Sequence, residues 1–131
     1  MRVTGIDHLV LTVASIEAAV DFYSRVLGME VITFGQGRTA LRLGGQKINL
    51  HAARAPIAPH ADRPVPGSAD LCLVAVGGID AAAAHLAACG VPVELGPVER
   101  AGARGSVRSL YVRDPDRNLV ELAFYDGAGE A

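Results

Sequence analysis

The sequence predicts an α+β fold built from two tandem βαβββ modules, and three observations carry that reading. A strand, a helix closed by glycine and a further strand occur twice, with His8 standing to Asp70 as Gly28 stands to Gly90, at an offset of about 62 residues. Each copy runs on into short stretches of strand formers punctuated by glycine or proline turns. Between the copies, residues 54–67 hold Pro56, Pro59, Pro64 and Pro66, the composition of a stiff linker. Module one is expected over about 3–53 and module two over about 68–126, inside a single domain of 1–131.

The elements follow in order. In the strand at 8–13, Leu9, Leu11 and Val13 form an apolar row to pack under a helix, which leaves His8, Val10 and Thr12 on the other face. Ser15 supplies a hydroxyl for an N-cap and Glu17 favours the positive end of the helix dipole. Ile16, Ala19, Val20, Tyr23, Val26 and Leu27 fall on one helical stripe, and Gly28 can take the left-handed conformation that ends it. Strands at 29–34, 38–43 and 47–51 are divided by Gly35-Gln36-Gly37 and Gly44-Gly45-Gln46. Lys47, Asn49 and His51 share one face of the last of these, with Ile48 and Leu50 on the other.

The second module repeats the pattern. In the strand at 70–76, Leu71, Leu73 and Ala75 face the helix, while Asp70, Cys72 and Val74 face away. A helix over 80–89 starts at Asp80 as candidate cap and stops at Gly90. A weak strand at 93–98 and strands at 107–113 and 118–125 complete the module, the last two joined by a tight turn at Asp114-Pro115-Asp116-Arg117. Glu121 shares a face with Leu119, Ala123 and Tyr125.

Composition narrows the class. The chain is 50% hydrophobic with no Trp, so its core is built from small aliphatic residues. A formal net charge of −2 speaks against a basic nucleic-acid surface, and Lys47 is the only lysine. No run reaches the ~18 apolar residues of a membrane span, and residues 1–5 do not read as a secretion signal. Cys72 and Cys89 lie in apolar surroundings and are expected as reduced core residues. A cytoplasmic location is the expectation.

The ionisable side chains that interrupt the apolar strands are His8, His51, Asp70 and Glu121. Acids buried in such strands are costly unless paired or bound to metal. Imidazole and carboxylate groups on rigid strands suit a borderline divalent ion. A satisfied histidine, a carboxylate capping its strand, or a glutamate paired with an arginine would explain the same residues without a metal.

Three segments carry a family resemblance: Gly5-Ile6-Asp7-His8-Leu9-Val10-Leu11-Thr12-Val13, Asp21-Phe22-Tyr23-Ser24-Arg25-Val26-Leu27-Gly28-Met29 and Asp114-Pro115-Asp116-Arg117-Asn118-Leu119-Val120-Glu121. Together they resemble the vicinal oxygen chelate superfamily, which includes glyoxalase I, fosfomycin-resistance thiol transferases, bleomycin-binding proteins and extradiol dioxygenases. Lys47-Ile48-Asn49-Leu50-His51, residues 66–72 and residues 96–100 look like the glyoxalase-domain-containing subgroup. The resemblance implies the glyoxalase/bleomycin resistance/dioxygenase fold, in which paired modules curl into a cupped mixed sheet, often completed in a homodimer. It also implies a divalent metal ion (Zn, Ni, Mn, Fe or Co) held by ligands from the first and last strands of each module. Carried over, these places fall on His8, Asp70 and Glu121, with Asn49 where glyoxalase I has a glutamate and His51 one pleat further along. The expected metal set is therefore His8, His51, Asp70 and Glu121, with Glu121 doubling as the catalytic base.

Departures from the pattern sort the chemistries. Val10 stands where fosfomycin transferases carry threonine, and Asp70 replaces a histidine that extradiol dioxygenases use on iron. Keeping His8 and Glu121 speaks against a purely binding role. The expectation is a metal-dependent, glyoxalase I-like lyase or isomerase acting on a small molecule. The alternatives are a non-catalytic sequestering dimer of the bleomycin-resistance type and a dioxygenase-type member; neither nucleic acid nor membrane is expected as a partner. Arg117 stands where the family's turn commonly has glycine and is expected in the left-handed conformation. Arg104 and Arg108 could receive an anionic group, although solvated surface arginines are the favoured reading.

Overall fold

A computed structural model describes residues 1–125; residue 126, the expected end of module two, lies outside them. The chain divides into two units, Met1–Ser68 and from Ala69 onward. Each is a four-stranded mixed sheet with one helix, in the βαβββ order.

In the first unit the strands are β1 (His8–Val13), β2 (Glu30–Phe34), β3 (Arg38–Leu43) and β4 (Gln46–Ala52). They stand in the order β1-β4-β3-β2, with β1 parallel to β4 and the other pairs antiparallel. The helix begins as read: Ser15 caps it through a 3.1 Å bond from Ala18 N–H to Oγ. Its α-helical part, α1 (Ile16–Asp21), widens into a π-helical turn over Phe22–Val26. Tyr23 and Val26 in that turn are buried, and Gly28 ends it at φ 76°. The helix packs onto the apolar row of Leu11, Val13, Ile48 and Leu50, all at most 4% exposed.

The second unit holds β5 (Asp70–Val74), α2 (Ile79–Ala88), β6 (Leu95–Gly102), β7 (Gly105–Arg113) and β8 (Leu119–Tyr125). Its strand order is β5-β8-β7-β6, again with the first and last strands parallel. Several boundaries differ from expectation: β5 ends at Val74 and not at 76, α2 is shifted back by one residue, β7 starts two residues earlier and β8 one later. Gly78, not Asp80, occupies the cap position of α2, which leaves Asp80 in the first turn where its charge suits the dipole. The weak strand at 93–98 starts instead at Leu95 and runs to Gly102, because Gly102 and Gly105 close a tight hairpin with β7. Gly96 sits in its register break at φ 122°, where an added Cβ would lie 2.4 Å from the Ser109 carbonyl oxygen.

The turn before β8 sets the start of the second sheet. Asp114 Oδ1 accepts from the backbone N–H of Asp116 and of Asn118, both at 2.9 Å, and Arg117 takes φ 69° as expected. Asn118 Nδ2 donates to Asp114 Oδ2 at 2.8 Å, and Asn118 Oδ1 accepts the Ala69 N–H at 2.9 Å. The last link ties the turn to the residue before Asp70.

No helix of the described residues is long and apolar enough to cross a membrane.

Candidate functional site

Pleat and pairing decide which polar side chains share a surface. On the first unit, the face turned away from the helix presents His8, Val10 and Thr12 from β1 and Lys47, Asn49 and His51 from β4. Arg38, Ala40 and Arg42 from β3, with Ile32 and Phe34 from β2, complete it. On the second unit the corresponding face presents Asp70 and Cys72 from β5, Glu121 from β8, and Ser109, Tyr111 and Arg113 from β7.

The four residues singled out by sequence have different surroundings. His8 is exposed, and its Nδ1 lies 2.7 Å from Asp7 Oδ2. A carboxylate oxygen can only accept, so Nδ1 donates and Nε2 is left as a lone-pair donor toward a metal. This exposed hydrogen bond orients the ring more than it stabilises the fold. Asp70 is exposed at the start of β5, where its charge acts on Arg113 across Leu119. Glu121 is half-buried, and one of its oxygens, Oε2, accepts a 2.7 Å bond from the buried Ser109 hydroxyl. His51 alone of the four is buried, at 4% exposure. The premise that all four are buried in apolar strands is thus corrected, since the edge strands β1 and β5 leave His8 and Asp70 open to solvent.

His51 meets a cation. Arg38 Nη2 lies 3.3 Å from its Nε2, and the guanidinium can only donate, so Nε2 accepts and the ring proton belongs on Nδ1. Burial, then the charge of Arg38 and then that of His60 hold this imidazole below its usual pKa. Asn49 is also buried, at 5% exposure.

Cys72 was expected in the core, but it is an exposed free thiol directly opposite Glu121 in the parallel β5–β8 register. Cys89 is free and half-buried. Partial desolvation, then the charge of Glu121 and a hydrogen bond to it, push the Cys72 thiol up to about 11. The two units share this register, with Val10 opposite Asn49 in the first as Cys72 stands opposite Glu121 in the second. Arg104 is exposed, as favoured, and stacks on Tyr125 at 4.3 Å.

A family model described as the Glyoxalase/Bleomycin resistance protein/Dioxygenase superfamily matches residues 5–122. The chain belongs to this superfamily. Virulence protein STM3117 of Salmonella typhimurium is 47% identical over 125 residues, covering 95% of this chain and 87% of that protein. Its crystal structure superposes with a TM-score of 0.93, over 95% of this chain and 99% of that one. The glyoxalase domain-containing protein RDO1 of Mycosarcoma maydis is 50% identical over 128 residues, 98% of this chain and 72% of the relative. An integron cassette protein, VCH_CASS1, from the mobile metagenome of V. cholerae superposes at a TM-score of 0.94 with 46% identity, over 96% and 98% of the two chains.

Members of the vicinal oxygen chelate superfamily often use divalent metals, so the donors present must be tested for one. Among the described residues no three of His, Cys, Asp and Glu form a ready metal-binding group. Taken singly, His8 and Glu121 fit: Asp7 fixes His8 Nδ1 and leaves Nε2 to donate, and Ser109 orients the Glu121 carboxylate, whose other partner among the described residues is the weakly donating Cys72 thiol. His51 fits poorly, because a guanidinium stands against the nitrogen a cation would need.

Proposed function

We propose that this chain is a metal-dependent, glyoxalase-like enzyme acting on a small molecule with two adjacent oxygens. The observation that supports it is the preparation of His8 by Asp7 and of Glu121 by Ser109, at two places where the family resemblance puts metal ligands. We propose His8 as a metal donor on the first unit and Asp70 and Glu121 as metal donors on the second, and give His51 a different role, because of Arg38. A bound divalent ion supplies Lewis-acid polarisation of the two substrate oxygens. Asp7 holds the His8 tautomer, so that Nε2 is the binding atom. Glu121, held at Oε2 by Ser109, takes a proton from the substrate carbon and returns it to the adjacent carbon. Cys72, with its thiol at about 11, stays protonated near neutral pH and does not compete as a nucleophile. We infer a cytoplasmic homodimer as the working form, which sedimentation at micromolar concentration tests.

Metal content measured by mass spectrometry should be stoichiometric in the wild type and lost in His8→Ala and Glu121→Ala. Turnover of the glutathione–methylglyoxal hemithioacetal is the first activity to assay. Wild-type protein that takes up no stoichiometric metal under any loading condition sinks this reading. The second reading, a binding protein without turnover, is favoured by Asn49 at the place where glyoxalase I has a glutamate. Ligand binding that is indifferent to metal, with no turnover, would establish it instead.

A further inference from the structure

On the helix-free face of the first unit, two cations converge on one aromatic ring. Lys47 Nζ lies 3.8 Å from the Phe34 ring centroid, and Arg38 Cζ lies 4.8 Å from it. Neither cation has a carboxylate within ion-pair distance among the described residues. Like charges gathered on one ring repel, and the ring's attraction for each is modest.

Beside them lie three polar atoms with no hydrogen-bond partner among the described residues: Arg38 Nε, His51 Nδ1 and Asn49 Oδ1. Asn49 and His51 are only 5% and 4% exposed, so bulk water does not satisfy them. Because Arg38 Nη2 donates to His51 Nε2, His51 Nδ1 is a second N–H donor beside Arg38 Nε. The strand register puts all of these side chains on one surface, where Ala40, opposite Asn49, contributes only a methyl group. Two N–H donors and two uncompensated positive charges match the oxygens of an anion, and the Asn49 oxygen matches a hydroxyl beside it.

We propose that Arg38, Lys47 and His51 form an oxyanion subsite that takes a carboxylate or phosphate group of the small-molecule ligand, while Asn49 accepts a hydrogen bond from a neighbouring hydroxyl. The assignment of that ligand as substrate rests on the functional reading above, but anion binding itself needs neither metal nor turnover.

The test is a chemical-shift titration of ¹⁵N-labelled, EDTA-treated full-length protein with inorganic phosphate and, separately, acetate at constant ionic strength. Saturable shifts of the Arg38 Nε and His51 ring resonances are expected with at least one of the two. Phosphate alone would mark a phosphorylated ligand and acetate alone a carboxylate. Binding should weaken by at least about tenfold in both Arg38→Met and Lys47→Met, and stay unchanged in Arg25→Met, which removes an exposed arginine paired with Asp21 on the helix. Should Arg38→Met lose its folded spectrum, Lys47→Met carries the comparison, since that side chain is only half-buried. No saturable shift with either anion, or equal affinity in a folded charge-removing variant, overturns the proposal. Loss of metal binding in His8→Ala with anion binding retained would separate failure of the metal reading from failure of this one.

Discussion

The pairing of Cys72 with Glu121 shows how one side chain sets the chemistry of another. Thiolate formation next to a carboxylate costs both desolvation and like-charge repulsion, hence a thiol at about 11. In metal-free protein carrying Cys89→Ser, Glu121→Gln should move the midpoint of the alkylation–pH profile down toward the ordinary thiol value of about 8.5. An unmoved midpoint would show that the carboxylate is not the cause. Ser109 offers a second test, since its hydroxyl fixes Glu121 at 2.7 Å. Ser109→Ala should keep the fold and weaken divalent-metal affinity by roughly 10–100-fold, read by competition with a chelator. Neither neighbour was legible in the sequence. Cys72 and Glu121 lie on strands far apart in the chain, and no local signal gives a parallel register. The His51–Arg38 contact was closer to hand: a two-residue turn at Gly44–Gly45 fixes the hairpin register, which brings Arg38 alongside His51.

At the scale of elements, most of the chain could be read because its punctuation is physical. Ser15, Gly28 and Gly90 act as cap and stops as expected, and β1 and β3 keep the bounds read from alternation. β6 was the weakest to read, since glycine and proline interrupt its alternation and its register breaks between Leu95 and Val98. That break depends on Gly96, which combines a φ of 122° with a Cβ position 2.4 Å from the Ser109 oxygen. Gly96→Ala should cost about 2–4 kcal/mol through strain and a forced shift of β7. Gly45→Ala, with nothing within 4 Å of its added Cβ, should be nearly neutral. Equal thermal midpoints for the two variants would refute the account of the break.

Considered whole, the chain displayed its duplication in sequence, while the surroundings of the candidate site depended on tertiary pairing that composition does not encode. Stability against pH reports on one such surrounding. His51 titrates lower in the folded chain than in the unfolded one, because of burial, Arg38 and His60, with Lys47 on the same face. Above about pH 6.5 the ring is neutral in both states and its contribution is complete. As pH falls below that value the unfolded chain binds the proton first, so stability declines toward the lowered folded pKa. Asp21 and Glu94, held low by Arg25 and Arg113, add their own loss at more acid pH, below their ordinary carboxylate values. The thermal midpoint should therefore drop between pH 7 and 5, and drop less in His51→Gln. Identical slopes in the two proteins would remove His51 from the explanation.

Parallel pairing of first and last strands also dictates an order of assembly. β2, β3 and β4 can pair as local hairpins, whereas β1 finds its partner only once β4 exists, and β5 must likewise wait for β8. During synthesis His8 and Asp70 thus emerge early and find their places late. The sheet of each unit should therefore close abruptly, when its final strand leaves the ribosome, rather than growing with chain length.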